Sequence, residues 1–306
     1  MYLFYSVGLG VGTAIMYPSL TAYAAKIFPD KPGFASGLML AGYGCGPFVL
    51  SPIIARVYVL TGDVSKAFFI LGCVFVPLIF ILCLFIKEPE KLPVPEYTAK
   101  KKAQLNVVAV NRNAMIRTPV FYVLYLTFAF GIINTTMILT QAAPILKSGF
   151  ALSTTFAASL AGAFALSNTV GRFICGFASD KIGRPKTIII LQFFTLLCFI
   201  LLLTSVVLPV YIFALALCIF CLGGLASSLA PATGDTFSTS TLSENYPVMF
   251  SIFTVAGIAG VQIITNVGYT GAYFYGLVTA VIGIVLSFVY QQMLKKQTVA
   301  NAVPAS

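Results

Sequence analysis

One arginine and one asparagine, a single helical turn apart in an apolar stretch, carry the clearest chemical signal in this sequence. Arg172 follows Asn168 by four residues, so both side chains share one face of a helix. A guanidinium binds a carboxylate through parallel N–H groups, and a neighbouring amide adds a neutral donor. Because no carboxylate lies in the same stretch, we expect Arg172 to bind a small anion. The alternative is a side chain that extends along its helix to surface water.

Groups that could support catalysis lie outside the apolar stretches. The chain has no His, and its 8 acidic residues fall in polar loops or at helix ends. They are Asp30, Asp63, Glu88, Glu90, Glu96, Asp180, Asp235 and Glu244. Without an acid–base pair or a cluster of metal ligands, the sequence predicts no catalytic residue, no metal site and no cofactor. Proton and cation pathways in membranes use the same groups, so we expect no proton or sodium coupling within these residues.

Tyrosine hydroxyls are the other polar groups placed to meet a solute. Tyr17 lies in one apolar stretch, and Tyr122 and Tyr125 lie in another. A hydroxyl in apolar surroundings needs a hydrogen-bond partner, which a bound solute can supply. We therefore expect Tyr17 and Tyr125 to line the site around Arg172 and Asn168. Packing of the rings is the alternative for each tyrosine.

The composition excludes a water-soluble globular protein. Of 306 residues, 59% are hydrophobic and 8% charged, and the mean hydropathy is +0.99. The net charge of +10 is spread over an apolar chain, which is typical of cytoplasmic loops rather than of a nucleic-acid-binding face. We expect an integral membrane protein whose partners are the lipid bilayer and a small anionic solute, with no nucleic acid. The sequence leaves the oligomeric state open.

The apolar runs predict an all-α, multi-pass membrane protein with about nine transmembrane helices, since each span needs about 20 apolar residues. The predicted spans are 3–26, 34–59, 66–86, 119–143, 152–178, 186–206, 208–230, 248–268 and 270–293. Most of the 18 Lys and Arg residues fall on one side, which the positive-inside rule makes cytoplasmic. An odd number of spans then places the amino terminus on the non-cytoplasmic side and the carboxyl terminus in the cytoplasm. This orientation favours a missing upstream segment.

A single long polar segment divides the chain. Residues 1–86 hold three predicted helices, 87–118 form a basic cytoplasmic linker, and 119–306 hold six helices and a short tail. A faint internal repeat relates 18–42 to 231–257, and internal duplication is typical of transporters. We therefore interpret the first part as a partial amino-terminal helical repeat and the last as a carboxyl-terminal six-helix repeat.

The run GRFICGFASDKIGRPK at 171–186 resembles the cytoplasmic loop signature of the major facilitator superfamily, G-x-x-x-D-[RK]-x-G-R-[RK]. The matching residues are Gly176, Asp180, Lys181, Gly183 and Arg184. That fold has twelve helices, and the signature follows helix 2 and is repeated after helix 8. Four predicted helices follow it here, so the resemblance implies that the nine spans correspond to helices 4–12 and that the first three helices are absent.

A second motif resembles the helix 5 pattern of antiporter branches, G-x8-G-x3-G-P. The matching residues are Gly33, Gly42, Gly46 and Pro47. Small residues permit close helix approach and Pro47 permits a bend. The K-x-F-P-D-K-x-G core at 26–33 resembles the oxalate/formate antiporter family, a neighbour of the monocarboxylate porters.

The branch resemblance implies a role for Arg172, which falls at the helix 8 arginine implicated in carboxylate binding. Ala256 stands where oxalate carriers have a lysine, and Asn168 stands where proton-coupled monocarboxylate porters have an aspartate. The resemblance therefore implies an alternating-access carrier for a small organic anion, monocarboxylate-like, working by exchange or facilitated passage. Two alternatives stay open: a truncated chain or incomplete gene product that transports nothing, and a sugar or drug carrier of the same superfamily.

Overall fold

The computed structural model describes residues 7–28, 30–86, 109–150 and 152–302, and these ranges contain helices and no strand. The helices are α1 (Leu9–Ile27), α2 (Pro32–Thr61), α3 (Val64–Cys83), α4 (Arg112–Ile116), α5 (Pro119–Phe150), α6 (Thr154–Ile182), α7 (Arg184–Thr204), α8 (Leu208–Phe237), α9 (Leu242–Phe250) and α10 (Ile252–Ala302). The predicted all-α fold class is confirmed.

Local sequence determines where several helices end. Gly62 closes α2 in the left-handed conformation at φ 66°, which glycine adopts without steric cost. Asp63 then caps α3 by accepting a hydrogen bond from the Ser65 amide at 2.8 Å. Gly183, at φ 93° and ψ 147°, makes the turn between α6 and α7. A residue with a side chain would strain that backbone.

One break divides α10 into two helices. Gly268 has φ 71° and ψ 179° inside the continuous element Ile252–Ala302, so the chain bends there. The break falls at the predicted boundary between the spans 248–268 and 270–293. Four described segments are long and apolar enough to cross a membrane: Pro119–Lys147, Arg184–Thr204, Leu208–Phe237 and Leu242–Gln297, the last containing α9 and most of α10. The fold is a membrane helical bundle, and the count of nine spans stays a prediction.

Large apolar side chains remain exposed on several helices. Phe69 and Phe80 on α3 are 73% and 69% exposed, Phe85 just after α3 is 76% exposed, and Val59 near the end of α2 is 80% exposed. A water-soluble surface does not tolerate a continuous apolar patch of this kind. The exposed faces therefore fit contact with lipid acyl chains or with further apolar helices.

The buried core lies mainly among the helices from α5 to α10. α5 packs along α10, α6 along α8, and α7 against both α8 and α10. One apolar cluster is centred on residues such as Phe128 and Leu225, and a second on Phe199 and Ile219. The first helices join this body because α2 contacts α6 and α8, and α1 contacts α9. The division into 1–86, 87–118 and 119–306 stays a prediction, and 87–108 lies outside the described residues.

Glycines allow α2 and α6 to approach closely at one end. A Cβ atom at Gly37 would lie 2.5 Å from the carbonyl oxygen of Arg172, and one at Gly33 would lie 2.5 Å from the carbonyl oxygen of Gly176. Neither distance is possible for a real side chain, so backbone contact requires glycine. We call the contact from Gly33–Gly176 to Gly44–Thr169 the α2–α6 seam.

The two helices are not in glycine contact beyond the seam. On the far side, a Cβ atom at Gly46 or Gly162 would meet no described atom within 4 Å. The seam begins at the end that carries the turn at Gly183, and we call this the signature end.

Candidate functional site

Arg172 lies on α6 and reaches across the seam to α2. Its Nη1 donates a hydrogen bond of 2.6 Å to the backbone carbonyl of Leu40. Its Nε is buried and has no hydrogen-bond partner among the described residues. Because Nη1 is occupied, the guanidinium is held in place, and its Nε–Nη2 edge is the one left for a planar anion. The predicted anchor is therefore oriented by the neighbouring helix.

Three aromatic rings extend from the guanidinium. The ring of Tyr43 lies 5.9 Å from Cζ of Arg172, within cation–π range. Tyr43 packs edge-on against Tyr17 at 5.2 Å, and Tyr17 packs on Phe250 at 4.7 Å. Tyr17 is thus connected to Arg172 through Tyr43, which the sequence analysis did not single out, and its role in solute binding stays a prediction.

Asn168 is buried one turn before Arg172 and is 7% exposed. Its backbone carbonyl faces α8 at Gly223, where a Cβ atom would clash with the carbonyl oxygen. Its side-chain amide makes no hydrogen bond within the described ranges. The close approach of α8 fixes the backbone of this turn, while the amide keeps its donors and its acceptor for another partner.

Tyr125 lies apart from this group. Its hydroxyl is 3.0 Å from the hydroxyl of Ser251, between α9 and α10, and its ring packs on Phe121 at 5.5 Å. No contact in the described part of the chain joins Tyr125 to Arg172 or Tyr17. Its hydroxyl therefore has a partner inside the protein, and its role in solute binding stays a prediction.

Asp180, from the loop signature, holds the start of α2. Its two carboxylate oxygens accept hydrogen bonds from the backbone amides of Gly33 at 3.0 Å and Phe34 at 2.7 Å. The amides at a helix start lack partners within the helix and carry a partial positive charge. A carboxylate from α6 therefore satisfies two amides of α2. We call this contact the Asp180 clamp.

Arg184 pairs with the carboxylate of the Asp180 clamp. It pairs with Asp180 at 2.5 Å and with Asp235, near the end of α8, at 3.3 Å. Its Nη1 also donates to the hydroxyl of Ser179 at 2.8 Å. The side chain of Arg184 is 7% exposed, so these acceptors replace water around its charge. One network thus joins α2, α6, α7 and α8 at the signature end.

The remaining motif residues have different surroundings. Lys181 lies 4.4 Å above the ring of Phe177. Gly42 and Gly46 lie on α2, and no described atom stands within 4 Å of where their Cβ atoms would be. The side chain of Pro47 lies outside the described residues. Close approach runs instead through Gly33, Gly37 and Gly44, two of which the motif does not include.

Comparison with known proteins adds independent information. The sequence profile of the Major Facilitator Superfamily matches residues 1–261. The chain is 30% identical over 302 residues to the oxalate:formate antiporter of Oxalobacter formigenes, covering 96% of this chain and 70% of that protein. It is 26% identical over 263 residues to the uncharacterized MFS-type transporter YhjX of Escherichia coli (strain K12), covering 84% of this chain and 63% of that protein.

Proposed function

This chain belongs to the major facilitator superfamily, and from that premise we propose that it carries a small organic anion across a membrane by alternating access. The proposed solute is a monocarboxylate, and the proposed mode is exchange or facilitated passage. The 30% identity to an oxalate:formate antiporter supports a small anion, although the chain spans only 70% of that protein's length.

One observation carries the proposal: Arg172 has no acidic partner among the described residues, and its Nε is buried without an acceptor. A partly buried cation without a counter-charge in apolar surroundings is costly, and a bound anion reduces that cost. The bond from Nη1 to Leu40 fixes the plane of the guanidinium, so a carboxylate can bind along the Nε–Nη2 edge. Asn168 and the rings of Tyr17 and Tyr43 would complete the site.

The positions of the seam and the clamp support alternating access. The clamp lies at the signature end, and the seam runs from that end past Arg172 to Gly44 and Thr169. We propose that a solute reaches the guanidinium from the other end while the signature end is closed. Opening the signature end would require α2 to separate from α6, which is the relative movement of helices that alternating access needs.

The test is the variant Arg172→Lys, measured as anion uptake into proteoliposomes and as equilibrium binding. Lysine keeps the positive charge but not the planar edge, so binding should weaken by about tenfold or more. Arg56→Lys is the matched control, because Arg56 is an exposed arginine of α2 away from the seam, and it should leave uptake unchanged. Normal uptake by Arg172→Lys at equal protein level would contradict the proposal.

A comparison of uptake into vesicles with and without internal solute distinguishes exchange from facilitated passage. If the carrier works by exchange, its empty form reorients slowly. Vesicles loaded with unlabelled carboxylate should then take up labelled carboxylate faster than empty vesicles. Equal rates in loaded and empty vesicles would support facilitated passage. Uptake that competes with neutral sugars and not with carboxylates would contradict the anion class altogether.

A further inference from the structure

A cavity of about 500 Å³ opens between the start of α4 and the first turns of α9, apart from Arg172 and its aromatic neighbours. Arg112 lies on one wall between two asparagines, and Ser243 and Glu244 lie on the other. The volume is within the range of cavities that bind small ligands. The cavity takes no part in the proposed anion site, so its chemistry calls for a separate account.

Hydrogen bonds fix the two walls relative to each other. The side-chain amide of Asn245 on α9 donates to the carbonyl of Val110 at 2.8 Å, and the Val110 amide donates to the carbonyl of Phe237 at 3.3 Å. Asn111 then caps α4 by accepting a hydrogen bond of 3.0 Å from a main-chain amide of that helix. The wall at α4 is therefore attached to both α8 and α9, and the cavity is built from packed elements.

Arg112 and Glu244 bring opposite charges to this cavity. Both side chains are exposed, and no ion pair joins them in the described part of the chain. A ligand with a single charge would be attracted by one of these groups and repelled by the other. A ligand that carries an anionic group and a cationic group satisfies both. The cavity is therefore suited to a zwitterion.

The position of the cavity along the membrane spans indicates where such a zwitterion comes from. Ser243 and Glu244 lie in the first turn of the apolar segment Leu242–Gln297, and Arg112 shortly precedes the span Pro119–Lys147. Both walls thus lie at the depth where a span begins. Lipid headgroups occupy this depth on either side of the hydrocarbon core.

The cavity lies at the signature end of the bundle. Lys26, near the end of α1, donates a hydrogen bond of 3.3 Å to the hydroxyl of Ser243. The turn that follows α1 leads to Gly33, which the Asp180 clamp holds. The distribution of charge predicts that this end is cytoplasmic, and pockets with basic residues on that side bind lipid headgroups. The charge of Lys26 beside the cavity also attracts a phosphate.

We propose that this cavity binds the headgroup of an aminophospholipid, with the phosphate on Arg112 and the primary ammonium on Glu244. The inference goes beyond the proposed function and does not depend on it. A guanidinium binds phosphate oxygens through its fork of N–H groups. The side-chain amides of Asn111 and Asn113 add neutral donors, since the cap of α4 uses only the Oδ1 atom of Asn111. Val248 gives the cavity an apolar part for the glycerol carbons.

The pair of charges predicts which headgroups bind. Ethanolamine carries a primary ammonium, whose N–H groups donate to a carboxylate. Choline carries the same charge without an N–H group, and a glycerol headgroup carries no positive charge. Phosphatidylethanolamine should therefore bind more tightly than phosphatidylcholine or phosphatidylglycerol, although all three have the phosphate. Simple attraction to basic residues would instead favour phosphatidylglycerol, which has a net negative charge.

The experiment is native mass spectrometry of the full chain in detergent, with the dioleoyl form of each of the three lipids added separately. The wild type should retain the ethanolamine lipid about two- to tenfold better than the other two. Glu244→Gln should reduce its retention to that of the glycerol lipid, and Arg112→Gln should weaken retention of all three. Arg117→Gln is the matched control, because Arg117 is an exposed arginine at the end of α4 outside the cavity, and it should behave like the wild type.

Thermal unfolding checks that the variants are folded, and the exposed positions of Arg112 and Glu244 predict unchanged midpoints. Equal retention of the three lipids by the wild type, or an Arg112→Gln variant that behaves like Arg117→Gln, would overturn the inference. Water-soluble glycerophosphoethanolamine should bind more weakly than the lipid. Equally tight binding would overturn the lipid assignment in favour of a soluble zwitterion. The assay contains no transported anion, so its failure leaves the proposed function intact.

Discussion

At the scale of single residues, a charged side chain in apolar surroundings must find acceptors, and Arg172 finds the main chain of a neighbouring helix. The bond from Nη1 to the Leu40 carbonyl satisfies one donor and fixes the guanidinium across the seam. The proposed anion anchor is therefore also a link between α6 and α2. Binding of an anion and separation of the two helices would therefore both change the contacts of the Arg172 guanidinium.

Tyr43 should contribute to anion binding through that side chain. Its ring lies 5.9 Å from the guanidinium carbon, so Tyr43→Leu removes an attraction that keeps the cation in place. We expect about two- to fivefold weaker carboxylate binding, as for a cation–π contact at a partly exposed site. Tyr58→Leu is the control, because Tyr58 lies on the same helix with 49% exposure against 55% for Tyr43. Equal effects of the two substitutions in a binding titration would contradict the role of Tyr43.

The sequence alone singles out Arg172, but it does not identify all of the residues that surround it in the fold. An arginine in an apolar stretch is conspicuous because its charge is costly there. Tyr43 looks like an ordinary aromatic residue until α2 is placed beside α6, and that placement comes from tertiary contacts. Tyr125 is the opposite case. Its position in an apolar stretch led the sequence analysis to predict a site residue, whereas in the fold its hydroxyl lies beside the hydroxyl of Ser251.

At the scale of helices, the α2–α6 seam depends on the absence of side chains. Gly37→Ala would place a methyl group 2.5 Å from the Arg172 carbonyl, which forces the helices apart. We expect a loss of about 1–3 kcal/mol in the free energy of unfolding, together with reduced transport. The added methyl group would meet a backbone carbonyl of α6, and helix backbone cannot move aside as the end of a flexible side chain could.

Gly46→Ala is the matched control for the seam. Gly46 lies on the same helix, but no described atom stands within 4 Å of its Cβ position. Replacing a helical glycine with alanine then stabilises by about 0.5–1 kcal/mol. Thermal unfolding of the two variants side by side measures the difference. A Gly37→Ala variant as stable as Gly46→Ala would show that the seam is not tightly packed.

Helix positions were largely predictable, and helix junctions were not. The predicted span 208–230 falls within α8, and 34–59 within α2, because long apolar runs are the strongest signal in a membrane sequence. The short helix α4, capped by Asn111, was not predicted, since five residues carry no periodicity. The junction of α9 with α10 was missed too, because the chain turns at Ser251 without a break in its apolar pattern.

At the scale of the whole molecule, the distribution of charge predicts which end faces the cytoplasm. The signature end carries Lys31, Lys181 and Lys186, which are exposed, and the positive-inside rule places such residues in the cytoplasm. Lys147, near the other end of α5, is exposed as well and should face the opposite side. The orientation of the termini follows from the same assignment and is likewise a prediction.

Cysteine labelling tests this orientation. Lys181→Cys should react with a membrane-impermeant maleimide only from the cytoplasmic side, and Lys147→Cys only from the other side. The background variant replaces the exposed native cysteines, which are Cys45, Cys73 and Cys83. Labelling of both positions from the same side would contradict the predicted topology, and reversed labelling would invert it.

The two polar contacts across the seam share a property with a consequence for sequence variation. Asp180 bonds the amides of Gly33 and Phe34, and Arg172 bonds the carbonyl of Leu40, so both contacts end on the main chain of α2. Substitution of Phe34 or Leu40 removes neither partner while α2 stays helical. The side chains of Asp180 and Arg172 alone therefore make these hydrogen bonds, and homologues can vary the side chains at 34 and 40 without losing them, provided that the seam glycines and the two α6 side chains persist.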